Sequence, residues 1–162
     1  MKKTFLTLTL LITISTCLNA QQVYIEMRQK AKTVIANPAA NATQKNINQF
    51  KLNALDYMGM KMREQMPDSS VTFLDKQAYA LNHFMLYYIQ TLVDNSSQPV
   101  AYKERIIKAF VDASISNPLF YDNDKELVLS YFVDGNNLTR FSLDTDWLRA
   151  ILAVDAILKT LK

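Results

Sequence analysis

One cysteine, Cys17, carries all the thiol chemistry of this chain, and it falls within the first twenty residues. Those residues have the layout of a secretory signal peptide. Lys2-Lys3 is a positive start, Phe5–Ile14 is a short apolar run, and Cys17-Leu18-Asn19-Ala20 leads to a cut before Gln21. The chain after that cut, 21–162, contains no cysteine, so disulfides cannot hold it and packing must. A structural zinc site is excluded as well, because His83 is the only histidine. Glycine is almost as scarce. Gly59 and Gly135 are the only two, too few for the tight turns of an all-β chain. The four prolines, Pro38, Pro67, Pro99 and Pro118, all lie between periodic segments, where proline punctuates helices.

Other absences narrow the function. There is no His-Glu-x-x-His, no Gly-x-Ser-x-Gly and no phosphate loop, and nothing singles out a nucleophile. No cofactor is implied. With Lys2 and Lys3 removed the formal net charge falls from +3 to +1, and there are no charge blocks, so no nucleic-acid footprint is present. After the leader no apolar run is long and uninterrupted enough to span a membrane.

What remains is about 140 residues of helical periodicity, the length of one domain with a real core. The spacing predicts an all-α bundle of about six helices. The first runs over Gln22–Ala36, with Val23, Met27, Ala31 and Val34 inward. The second starts after Thr43 as N-cap and carries Ile47, Phe50, Ala54, Leu55, Met58, Met62 and Met66 on one side, with Gly59 marking a close helix crossing. The third, Ser70–Val93, is apolar or aromatic on every side in its second half. It is expected to be central and wrapped by the others. The fourth, Pro99–Ser116, turns Val100, Ile107, Val111 and Ile115 inward, with Ile106 and Phe110 widening the stripe, and carries Glu104–Lys108 and Lys108–Asp112 pairs. A short fifth helix is expected from Asn123 to Val133, ended by Gly135 and followed by a loop over Asn136–Ser142. The last begins at Asp144-Thr145-Asp146 and buries Trp147, Leu148, Ile151, Val154, Leu158 and Leu161.

Three groups of residues are candidates for chemistry. Asp75, Tyr79, His83 and Tyr87 recur every four residues along the central helix. They form either a hydrogen-bonded stripe inside the bundle or one wall of a ligand pocket. Met58, Met62 and Met66 share one face of the second helix, with Met60 nearby. Thioethers so spaced suit Cu(I), with His83 as an extra ligand, or an adaptable partner groove, or plain core packing. Asp155 falls on the buried side of the last helix, where a lone charge is costly, and Lys159 one turn on is its expected partner. Asp122-Asn123-Asp124 and Asp134-Gly135-Asn136-Asn137 do not fit a calcium loop and read as caps and turns.

Ile14-Ser15-Thr16-Cys17 resembles a bacterial lipobox, with Thr16 departing from its usual small residue. A lipid anchor on Cys17 is therefore the alternative to free release. The Met1-Lys2-Lys3 start and the Ala20-Gln21 junction resemble export signals of Bacteroidota-type bacteria, and the rest of the chain resembles their small exported all-helical proteins of unknown function. That resemblance implies export and a helical fold, and it carries no site residue. The reading as a whole is a non-enzymatic module, periplasmic or secreted, that binds a protein partner in the cell envelope. The alternative is a carrier of a small apolar ligand in a pocket beside the central helix.

Overall fold

Each proline falls between helices. The computed structural model places α1 at Gln22–Ala36, α2 at Ala42–Gln65, α3 at Val71–Asp94, α4 at Val100–Ile115 and α5 at Trp147–Thr160. It describes residues 22–68, 71–122, 124–134 and 137–161, so the expected leader and Cys17 lie outside the described residues. Asn41 rather than Thr43 caps α2. Its side chain accepts the Gln44 N–H at 2.8 Å while the Gln44 side chain accepts the Asn41 N–H at 3.1 Å, a closed capping box.

The all-α character holds, since five α-helices carry the fold among the described residues, but the expected count of six is not matched. In place of the fifth expected helix are a 3₁₀ turn, Lys125–Leu127, and strand β1, Val128–Asp134. The expected loop is strand β2, Asn137–Ser142. The two pair antiparallel from Val128↔Ser142 to Asp134↔Asn137, with an irregularity between Phe132 and Asp134. The reason is legible in retrospect. Val128-Leu-Ser-Tyr-Phe-Val is a β-branched and aromatic run followed by Asp-Gly, which is hairpin chemistry. Asn123 and Gly135, expected to cap the missing helix, lie outside the described residues. β1 packs on α2 and β2 on α4, closing one side of the bundle.

Five elements send aromatic rings to one point. Phe50 from α2, Phe84 and Tyr88 from α3, Phe110 from α4, Phe141 from β2 and Trp147 from α5 meet at centroid distances of 5.0–5.9 Å. Most of these contacts are edge-to-face, the geometry favoured by the ring quadrupoles. Trp147 is fully buried, as its helix position predicts. Gly59 does mark a close crossing, because Tyr24 of α1 lies over it and donates its hydroxyl to the Leu55 carbonyl at 3.1 Å.

Three expected registers shift. On α4 the expected flank residues Ile106 and Phe110 are buried with Ala109, Ala113 and Ser114, while Val100 and Ile115 are exposed, because the stripe centres on the large Phe110. On α5 Trp147, Ala150 and Val154 are buried, while Leu148 and Leu152 are exposed. And α3 is not wrapped on all sides. It packs on every other helix, but Thr72, Lys76, Tyr79, His83, Leu86, Gln90 and Val93 form an exposed outer stripe. Apolar content alone could not place that stripe. The contacts do, since α1 and α2 flank α3 on one side and α5 on the other.

Candidate functional site

The residues Asp75, Tyr79, His83 and Tyr87 do not form one site. Four-residue steps overshoot a helical turn by about 40° each, so such a ribbon winds across a face rather than along it. Asp75, at one flank, accepts the backbone N–H of Tyr24 at 2.9 Å and so caps α1 from across the chain. Tyr79 and His83 cross the outer stripe and are exposed. Tyr87, at the other flank, donates its hydroxyl to Asp155 at 2.9 Å, and its ring lies near the His83 ring at 6.3 Å. Asp155 is thus half-buried and held by a tyrosine, not paired with Lys159. Burial, and then the bond to Asp155, push the Tyr87 phenol up to about 12.

The methionines also separate. Met58 and Met62 are buried in the core, whereas Met66 is exposed at the C-cap of α2. Met60 is exposed on another side of the helix. Among the described residues no group of three or more His, Cys, Asp or Glu lies close enough to hold a metal ion.

Two features gather residues into places where something could bind. One is the outer stripe of α3. Tyr79, Leu86 and Val93 are 67%, 54% and 59% exposed, at steps of seven residues. Leu148 and Leu152 of α5 are exposed too, Leu152 by 69%. The second is a cleft of about 270 Å³ lined by Tyr87, Thr91, Asp94 and Asn95 of the end of α3, Tyr102 and Ile106 of α4, and Asp155, Leu158 and Lys159 of α5. α3 and α5 run parallel, because Gln77 meets Asp146 and Trp147 while Tyr87, farther along, meets Asp155.

Other polar groups that looked available are spent on structure. Gln77, buried in α3, donates to Asp146 at 2.9 Å and accepts the Trp147 N–H at 2.9 Å, fixing the start of α5. Asp144 is buried, and its carboxylate accepts the N–H groups of Leu119, Phe120 and Asp122 at 3.0, 2.7 and 2.8 Å. That compensates the burial of its charge. Asp122 in turn pairs with Lys61 at 2.7 Å and accepts the Tyr57 hydroxyl at 3.2 Å. The Lys61 bond holds the Asp122 carboxyl below the usual range, and burial, with Asp144 and Asp122 nearby, pushes the Tyr57 phenol up. Ser114, Ser142 and Thr145 form a buried hydroxyl knot that ties α4 to the same loop.

Sequence reasoning missed Leu86, Val93 and Leu152 as surface residues and Tyr102 and Asp94 as cleft residues. The seven-residue spacing Tyr79–Leu86–Val93 was the available signal for the stripe. The cleft had none, since three separate helices build it. Comparison with protein-family models, with curated proteins and with solved structures finds no match.

Proposed function

We propose that this chain is an exported, non-enzymatic helical module that binds a protein partner in the cell envelope through the outer face of α3. The observation that carries this reading is the exposed row Tyr79, Leu86, Val93. A seven-residue step keeps side chains aligned along a helix, here over about 21 Å at 1.5 Å per residue. That is the footprint of an amphipathic helix laid alongside. Burying each of these side chains fully would be worth about 1.5–3 kcal/mol, so even partial cover rewards docking. Lys76 at one end of the row and Asp94 at the other give the partner a direction. The export half of the proposal rests on the Lys2-Lys3, Phe5–Ile14 and Ala20-Gln21 layout.

The non-enzymatic half draws on the fate of the perturbed groups. Tyr57, Lys61 and Asp122 bond one another and pin a loop, and Tyr24 lies over Gly59. A carrier of a small apolar ligand would use the cleft at the end of α3, whose polar lining suits such a ligand less well. The test is a photo-cross-linking residue placed at Leu86, and a control at Lys108 on α4, in protein produced by its own host. The expected result is one discrete adduct from position 86, none from 108, and its loss in the Tyr79→Glu, Val93→Glu double variant. The same adduct from both positions, or one indifferent to the double variant, would sink the proposal.

A further inference from the structure

Resting on the reading that the outer face of α3 docks a protein, we propose that this protein is a second copy of the chain, packed antiparallel about a two-fold axis beside the midpoint of α3. Thr72, Tyr79, Leu86 and Val93 are exposed at steps of seven residues. Turned end for end, the whole row meets itself with Tyr79 against Leu86, and Thr72 against Val93, of the second copy. Apolar side chains then meet at the centre, and the part-polar Thr72 falls at the rim. A two-fold contact demands such a self-complementary surface.

Charge sets the direction. Lys76 and Asp94 are exposed, and neither forms an ion pair among the described residues. They are eighteen residues apart, about five full turns, and so stand on one line of the helix. That line runs beside the apolar row on the side toward α5, where Tyr87 meets Asp155. A two-fold axis keeps it on the same side of both copies, so Lys76 of each comes to Asp94 of the other. In this register the two are about five residues, or about 7.5 Å, apart along the axis, a gap that a lysine stem spans. Parallel copies would set Lys76 against Lys76 and Asp94 against Asp94.

The leucines of α5 mark the same axis independently. Gln77 bonds Asp146 and the Trp147 N–H, and Tyr87 bonds Asp155, so a residue of α5 stands level with the α3 residue 68–70 positions earlier. Leu148, seven residues before Asp155, shares its side of α5 and therefore borders the α3 row. Leu152 stands beside it, and both are exposed. The pair is level with residues 78–84 of α3, around the midpoint of the row. The axis that centres the α3 row thus also brings Leu148 and Leu152 to their own copies, a coincidence that a foreign partner would not impose. An interface of this make-up falls near the lower end of the range for specific pairs, about 1,200 Å² in total, with a Kd on the order of 10 µM.

The test is sedimentation equilibrium of the chain purified from its own host, from about 1 µM to about 500 µM, a range that brackets the expected Kd. The expected result is a monomer–dimer equilibrium. Lys76→Asp and Asp94→Lys should each weaken it about tenfold, since two symmetry-related attractions become repulsions. The double reversal Lys76→Asp, Asp94→Lys should recover the parent affinity, with thermal unfolding unchanged in all three variants. A chain monomeric throughout the range, a dimer indifferent to both single reversals, or a double variant no tighter than the singles overturns the proposal. If the chain is monomeric while position 86 still gives a discrete adduct of another mass than a dimer's, self-pairing falls and the docking of a different protein stands. If neither dimer nor adduct forms, both readings fall. A monomer that floats with phosphatidylglycerol vesicles gives the face to a lipid surface and likewise overturns self-pairing.

Discussion

Gln77→Leu is the substitution that best separates a spacer from a fastener. The two side chains are similar in size, so packing changes little and the polar contacts are isolated. Gln77 is almost wholly buried and bonds both Asp146 and the Trp147 N–H at 2.9 Å. Removing it loses one bond to a carboxylate and one to an amide, and leaves the first N–H of α5 buried without a partner. Bonds to charged groups contribute about 1.5–3 kcal/mol and an orphaned buried donor costs about 1–3 kcal/mol. After the gain from burying leucine, a net loss of about 3 kcal/mol is expected. Urea unfolding reads this as a drop in midpoint of more than about 1 M, at a slope of about 2 kcal/mol/M. Asp146→Ala, which removes the cap of α5 and the same bond, completes a double-mutant cycle, with an expected coupling of about 1–2 kcal/mol. A loss below about 1 kcal/mol, or strictly additive variants, would refute the claim that Gln77 fastens α5 to α3.

Gly59→Ala should destabilise by about 1–3 kcal/mol, although the same change in an exposed helix gains about 1 kcal/mol. The added methyl meets the Tyr24 hydroxyl, so Tyr24→Phe in the same chain should recover part of the loss in thermal unfolding. Tyr87 should titrate late in an ultraviolet phenolate titration, near 12 against an ordinary 10.0 and ahead of the more strongly raised Tyr57, and Asp155→Asn should bring it down. Its folded value is raised, so its contribution to stability is complete below about pH 10 and is lost as pH rises toward 12.

Helix placement was legible because proline and asparagine cut the chain and the 3.6-residue period filled the gaps. Trp147 and Gly59 were legible for the same reason, since local pattern determines them. The hairpin was not expected because Val128–Val133 carries no helical breaker, and a short apolar run fits either state until its β-branched content and the Asp-Gly pair that follows in the sequence are weighed. Burial on α3 was overestimated because an apolar helix face can stay uncovered, and only the positions of α1, α2 and α5 decide which face that is. Asp155 was rightly expected to need a partner. That partner was Tyr87, 68 positions away, rather than Lys159, one turn away. Contacts at such separations build the cleft, and no period in the sequence encodes them.

The parentage of the aromatic centre makes its closure a joint act. α2, α3 and α4 bring Phe50, Phe84 and Phe110, while Trp147 and both partners of Gln77 belong to the start of α5. Without α5 those three helices would enclose a gap the size of an indole, beside a buried amide that had lost both of its bonds. The centre is therefore keyed by the helix that contributes to it from farthest along the chain.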